Sequence, residues 1–218
     1  MKTLTKLFTS IYRISLLVWI FTLFSGCATM NDQPVESGFV SLFNGRNLDG
    51  WSIENGGRFS VDDGLLIIDK GTGWLRSDKE YSDFVFKLDF RFLEKEANSG
   101  IFIRTAATSK KDENGWPNNG YQVQCMDSLT GDRPLASMIP YGAPPFEHDS
   151  DFEKLAEVFK KVGEWNHYQI RCVGENLSVI LNGAEITTAS SIKNLTGHVG
   201  IQAEHGLLQF RNIRIQEL

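Results

Sequence analysis

The chain has 218 residues, with 22 Lys and Arg scattered among 27 Asp and Glu for a formal charge of −5. That distribution excludes the concentrated basic footprint of a nucleic-acid binder, so no nucleic-acid partner is expected. Only three cysteines occur, with no CxxC or HxxxH spacing, which excludes a zinc framework.

In chain order, Lys2, Lys6 and Arg13 form a basic lead into a mostly apolar run over 16–24. This pattern is a secretory signal, too short for a stable membrane span. Ser25 and Gly26 before Cys27 read as a lipoprotein processing site, with Cys27 the acylated first residue; the alternative is an ordinary cleaved signal with an incidental cysteine. The expected division is a signal peptide over 1–26, a polar tether over 27–37 and one folded domain over 38–218. An exported lipoprotein, periplasmic or at the cell surface and held to a membrane (the outer membrane) by its lipid, is the expected localisation.

Within the domain, period-two alternation dominates. Over 83–92, Phe84, Phe86, Leu88, Phe90 and Phe92 share one face, with Lys87, Asp89 and Arg91 opposite, as a half-buried strand requires. Further strands are expected at 40–43, 58–61, 65–69, 73–77, 101–105, 121–126, 165–173, 177–181, 184–187, 198–202 and 207–217. Asn182-Gly183 marks a type I′ hairpin, and a bulge near Arg211 and Asn212 reconciles two phases in the last strand. One short surface helix is expected at 151–162, capped by Asp149 or Ser150. Many strands and one helix predict an all-β, two-sheet antiparallel sandwich. The long irregular segments 106–119 and 129–150 are of a length usually reserved for function or mobility.

Cys125 and Cys172 fall in phase with apolar neighbours and read as buried thiols, or as a disulfide in an exported protein. Trp51 and Trp165 read as core anchors, whereas Trp74 and Trp116 are candidates for stacking on a sugar ring. Asp62 and Asp63, and the carboxylates of 149–151, are the loop groups that a calcium ion would need. Neither pair has calcium-loop spacing, so no metal or cofactor is expected, Ca²⁺ remaining unsupported.

The polar residues carry the functional argument. Gln122 and Gln124 share one strand face, Phe102 and Arg104 another, and Gln202 follows Gly200 on a third strand. If these strands are neighbours, one sheet face gathers Arg104, Gln122, Gln124 and Gln202, with Asn98 nearby and Asp127 and His205 at its rim. Sugar hydroxyls both donate and accept, and amide and guanidinium side chains answer both demands. Each residue also has a plainer reading: an ion pair for Arg104, solvated strand positions for the glutamines, a turn for His205. Asp127, Glu204 and His205 are the acid/base candidates beside the proposed cleft.

The segments SLFNGRNLDGW (41–51), FSVDDGLL (59–66), YSDFVFKLDFRF (81–92), NSGIFIR (98–104), GYQVQCMDS (120–128), GEWNHYQI (163–170), LNG (181–183) and GHVGIQAEHGLLQFRNIRIQEL (197–218) stand in one collinear order. That order resembles the 3-keto-disaccharide hydrolase domain family over essentially all of 38–218. The resemblance implies a jelly-roll sandwich of the concanavalin A-like lectin/glucanase type. It also implies glycoside substrates oxidised at C3 by a partner sugar 3-dehydrogenase, and cleavage by C2 deprotonation, elimination and hydration. On that reading His205 and Asp127 are the catalytic candidates, with Arg104, Gln122, Gln124, Asn98 and Gln202 binding substrate. Relatives commonly carry Gly-Tyr-Glu where this chain has Gly120-Tyr121-Gln122, and an amide cannot exchange a proton as a carboxylate does. A non-catalytic carbohydrate-binding module is therefore the competing expectation.

Overall fold

The computed structural model describes residues 36–218; the expected signal peptide, Cys27 and most of the tether lie outside the described residues. In chain order the strands are β1 (Val40–Ser41), β2 (Trp51–Asn55), β3 (Arg58–Asp62), β4 (Leu65–Lys70), β5 (Gly73–Tyr81), β6 (Phe84–Phe92), β7 (Asn98–Thr105) and β8 (Tyr121–Met126). They continue as β9 (Met138–Pro140), β10 (Glu147–Ser150), β11 (Asn166–Val173), β12 (Asn176–Leu181), β13 (Ala184–Ser190), β14 (Gly197–Ala203) and β15 (Leu208–Glu217). The helix α1 (Phe152–Val158) lies between β10 and β11.

One sheet has the order β10-β13-β12-β11-β6-β15-β4-β3, with β1 also on β15; the other has the order β2-β5-β14-β7-β8-β9. Every pairing is antiparallel. The two-sheet sandwich expected from the alternation is the fold observed. The aromatic face of β6 is buried against Ile101 and Ile103 of β7, Val123 and Cys125 of β8, and Val199 and Ile201 of β14. Those inner faces form the core, and burying each large apolar side chain contributes roughly 1.5–3 kcal/mol.

Local chemistry sets the connections. Asn182 and Gly183 take φ of 49° and 90°, as a type I′ turn requires. The register of β15 shifts between Arg211 and Arg214, where Asn212 has a φ of 52°, so the two phases of that strand meet at a bulge. The helix is shorter than the spacing predicts. Its cap is Asp151, whose carboxylate accepts from Lys154 N at 2.9 Å, and Phe159 leaves it in an extended conformation. Strands β2, β9 and β10 were not expected, and β9 and β10 lack clean alternation. Cys125 and Cys172 are buried free thiols and not a disulfide, and burial raises the pKa of both. Trp165 is not a core anchor: it is half-buried between the guanidinium groups of Arg91 and Arg211, 4.5 and 4.0 Å from its ring centroid.

Candidate functional site

The two outer sheet faces differ sharply. Outside the longer sheet, Lys87, Asp89 and Arg91 of β6 are only partly covered. Outside the shorter sheet, Gln122, Gln124 and Gln202 are 1%, 5% and 0% exposed. Pairing explains their meeting. Gly100 of β7 stands opposite Gln124 of β8, Phe102 opposite Gln122, and β14 lies on the other side of β7.

Two segments cover this face. The 106–119 segment folds back on itself through Lys110 N to Trp116 O at 2.7 Å and Asn118 N to Thr108 O at 3.2 Å. It is pinned to the sheet where Trp74 Nε1 donates to Ser109 Oγ at 3.0 Å and Asn55 Nδ2 donates to Gly115 O. Tyr141, just past β9, meets Phe102 and Trp116 edge-on at 5.5 and 5.7 Å between ring centroids. Trp74 is thereby fully buried and has no face left for a sugar, whereas Trp116 stays at the surface.

Between these segments lies a depression of about 460 Å³, lined in part by Asn98, Gln122, Gln124, Tyr141, Trp116 and Glu204, with Arg133 at its edge. Glu204 follows the end of β14 and is half-buried. Asn98 Nδ2 donates to its Oε2 at 2.5 Å, and Asn98 is itself fixed by a bridge to His205. Burial raises the Glu204 pKa above its ordinary value, against the lowering effects of the His205 charge and the Asn98 hydrogen bond. Tyr141 is pushed up to about 12, by burial first and then by the Glu204 charge, while Arg133 and the Gln202 amide act the other way. The site therefore combines a carboxylate with raised basicity, a phenol that stays protonated, and an amide floor. That combination can take one proton and donate hydrogen bonds to a developing oxyanion.

A profile of the 3-keto-alpha-glucoside-1,2-lyase-like domain matches residues 38–216. The chain belongs to this family. A solved protein from Parabacteroides distasonis ATCC 8503, described as a "putative glycosyl hydrolase", is 27% identical, with a TM-score of 0.60 over 83% of this chain and 99% of that one. A second such protein from the same organism is 21% identical, with a TM-score of 0.62 over 83% and 94% of the two chains. The carbohydrate binding module CBM66 from Bacillus subtilis shares the fold at 17% identity, with a TM-score of 0.51 over 77% and 95%. A comparison with curated proteins finds no match. The jelly-roll, lectin/glucanase-like architecture and membership in a carbohydrate-active family follow.

Within this lyase-like domain the predicted site residues separate. Asn98, Gln122 and Gln124 line the depression, and Gln202 is buried beneath Tyr141. Arg104 is elsewhere. Its φ of 48° breaks the alternation of β7, and the side chain, 1% exposed, donates to Ser82 O, Gly174 O and Asn194 O and pairs with Asp83 at 3.1 Å. It therefore ties the far end of the sandwich together. Asp127 accepts from Glu96 N at 3.1 Å in the turn after β8, and the exposed His205 lies beyond the rim. Neither lines the depression. Among the described residues no three His, Cys, Asp or Glu side chains gather to hold a metal ion. Asp63 sits in the β3–β4 turn and Asp151 caps the helix.

Tyr141 and Arg133 were missed by sequence reasoning, because they stand in the long irregular segments where alternation assigns no direction. The signal that could have found them is the length of those segments.

Proposed function

We propose that this domain cleaves 3-keto-glycosides by elimination and hydration, with Glu204 as the proton-transfer residue. The carrying observation is Glu204 itself, a half-buried carboxylate with a raised pKa held by Asn98 at the edge of an amide-floored depression. A ketone at C3 acidifies the C2 proton, so one base suffices where an ordinary glycosidase needs two flanking carboxylates. Glu204 takes the C2 proton, and the electron pair moves to the C3 oxygen as an enolate. The Tyr141 hydroxyl and Arg133 donate to that oxygen. The pair then returns to form the C1–C2 double bond as the bond from C1 to the glycosidic oxygen breaks. The departing oxygen takes the proton from the Glu204 carboxylic acid. Water adds across the double bond, hydroxyl to C1 and hydrogen to C2, completing a net hydrolysis.

On this reading a sugar 3-dehydrogenase supplies the substrate, and acylation of Cys27 would hold the enzyme at a membrane surface outside the cytoplasm. The competing reading, a binding module, rests on Gln122, an amide where the family resemblance implies a carboxylate. The test is to incubate the purified domain with an aryl 3-keto-α-glucoside in D₂O. Release of the phenol with deuterium at C2 is expected. Binding of the glycoside with no release would overturn the enzyme reading in favour of the module.

A further inference from the structure

The amide floor has a direction. Gln122, Gln124 and Met126 are successive outward positions on β8. Gln122 Nε2 donates to Gln124 Oε1 at 2.6 Å, and Gln124 Nε2 faces the Met126 sulfur at 3.8 Å. A thioether only accepts, and weakly. With the amides turned over, the Gln124 oxygen would face sulfur, lone pair against lone pair. The sulfur therefore selects the orientation in which Gln124 points its amino group at Met126 and its oxygen at Gln122. That choice commits the Gln122 amino group and leaves its oxygen unpaired. Gln122 Oε1 is buried without a protein partner, on a side chain 1% exposed that lines the depression.

Asn98 repeats the arrangement. Its amino group is committed to the Glu204 carboxylate, and its Oδ1 is likewise buried without a partner. The floor thus holds two unpaired amide oxygens, while Tyr141 and Arg133, which line the same depression, carry donors.

We propose that the Met126–Gln124–Gln122 relay makes this floor a hydrogen-bond acceptor that reads a sugar hydroxyl by its proton and refuses a carbonyl. The proposal rests on the depression being the sugar site, and it deepens that reading by orienting the substrate. A hydroxyl of the sugar donates to Gln122 Oε1, with Asn98 Oδ1 available to a second. The C3 ketone, which can only accept, is turned to Tyr141 and Arg133. Gln122 is then a specificity residue that touches substrate without exchanging a proton.

Fluorine in place of a hydroxyl removes the donor while keeping a weak acceptor of similar size. Calorimetric titration would compare methyl 3-keto-α-glucoside with its monodeoxyfluoro analogues at C2, C4 and C6. One or two analogues should bind about tenfold more weakly, the scale of one hydrogen bond with a buried acceptor left unmade. Gln122→Met should lose about the same factor for the parent sugar and no longer distinguish the analogue concerned. Met126→Lys, at a half-exposed position, puts a donor beside Gln124, reverses the relay and should restore tolerance of fluorine. All analogues binding within twofold of the parent, or undiminished discrimination in Gln122→Met, would overturn the proposal. Unoxidised methyl α-glucoside showing the same fluorine pattern, with the keto sugar not bound, would sink the 3-keto reading and leave the relay standing. If neither sugar binds, both fall.

Discussion

Gly100 sits under the Gln122 side chain, so a single methyl group there tests whether the amide floor is functional or merely buried. A Cβ built at Gly100 falls 2.3 Å from Gln122 Cδ, 2.4 Å from Nε2 and 2.6 Å from Cγ. Ordinary contact lies near 3.5–4.0 Å, so the amide must move by roughly 1 Å or more. The atoms met belong to a flexible side chain, and Gly100 has no positive φ that would strain an alanine. Replacing a strand glycine by alanine contributes about 0.5–1 kcal/mol through backbone entropy. Loss of the Gln122–Gln124 hydrogen bond costs about 1 kcal/mol. The two nearly cancel, so urea unfolding of Gly100→Ala should stay within about 1 kcal/mol of the parent. An amide displaced by an ångström should lower kcat/KM for a 3-keto-glucoside by about 10²-fold. Gly200→Ala is the contrast. Its Cβ would meet the Trp74 ring at 2.6 Å and the Leu75 carbonyl oxygen at 2.8 Å, rigid groups that cannot step aside. That variant should lose about 1–3 kcal/mol of stability or more. Gly100→Ala with stability and turnover both unchanged would refute the assignment of the floor.

Glu204→Gln keeps the acceptor for Asn98 but removes the proton-transfer group; turnover should fall at least 10²-fold in a leaving-group assay. A carboxylate whose folded pKa is raised favours the fold at low pH and loses that contribution as pH rises through the folded value. The same variant should therefore be more stable at pH 7, seen as a higher thermal midpoint. In the parent, kcat/KM should rise with pH through a midpoint above that of an ordinary glutamate, since the base works ionised. His205→Ala should keep turnover but move that midpoint upward, because His205 lowers the Glu204 pKa; loss of all turnover would return His205 to the chemistry. Arg104→Met strands Ser82, Gly174 and Asn194 carbonyls and Asp83, and should cost about 3 kcal/mol in urea unfolding.

The sandwich was legible because inner-face burial writes itself as alternation. All five inner-face positions of β6 from Phe84 to Phe92 are fully buried. The same rule failed at Arg104, whose positive φ turns it out of phase with Phe102. It failed again at the outer face of the shorter sheet. Alternation separates two faces but does not reveal that the 106–119 segment folds over one of them and buries Trp74 and the glutamines. Glu204, His205 and Asp127 were equally eligible, because all three lie at strand ends where the period of two stops assigning direction. Only the bridge between Asn98 and His205 shows which side chain turns inward.

An amide at position 122, where the resemblance implies a carboxylate, fits elimination better than it first appears. Two carboxylates in one low-dielectric depression would raise each other's pKa and leave one protonated near neutrality. A neutral amide at 122 leaves Glu204 as the half-buried carboxylate at the edge of the floor, with its basicity set by burial, His205 and Asn98. Oxocarbenium chemistry needs two carboxyl groups flanking the bond, and beside Glu204 the lining of the depression offers only the exposed Asp132. Deprotonation beside a ketone needs one base and an oxyanion partner, the roles proposed for Glu204 and Tyr141. Gln122→Glu is then a gain that should behave as a loss. The new carboxylate would face the Gln124 oxygen at about the present 2.6 Å separation, and one proton would be shared between positions 122 and 204. Turnover should drop at neutral pH and recover only as the second proton leaves at higher pH. A variant with unchanged rate and unchanged pH profile would show that position 122 does not communicate with the base.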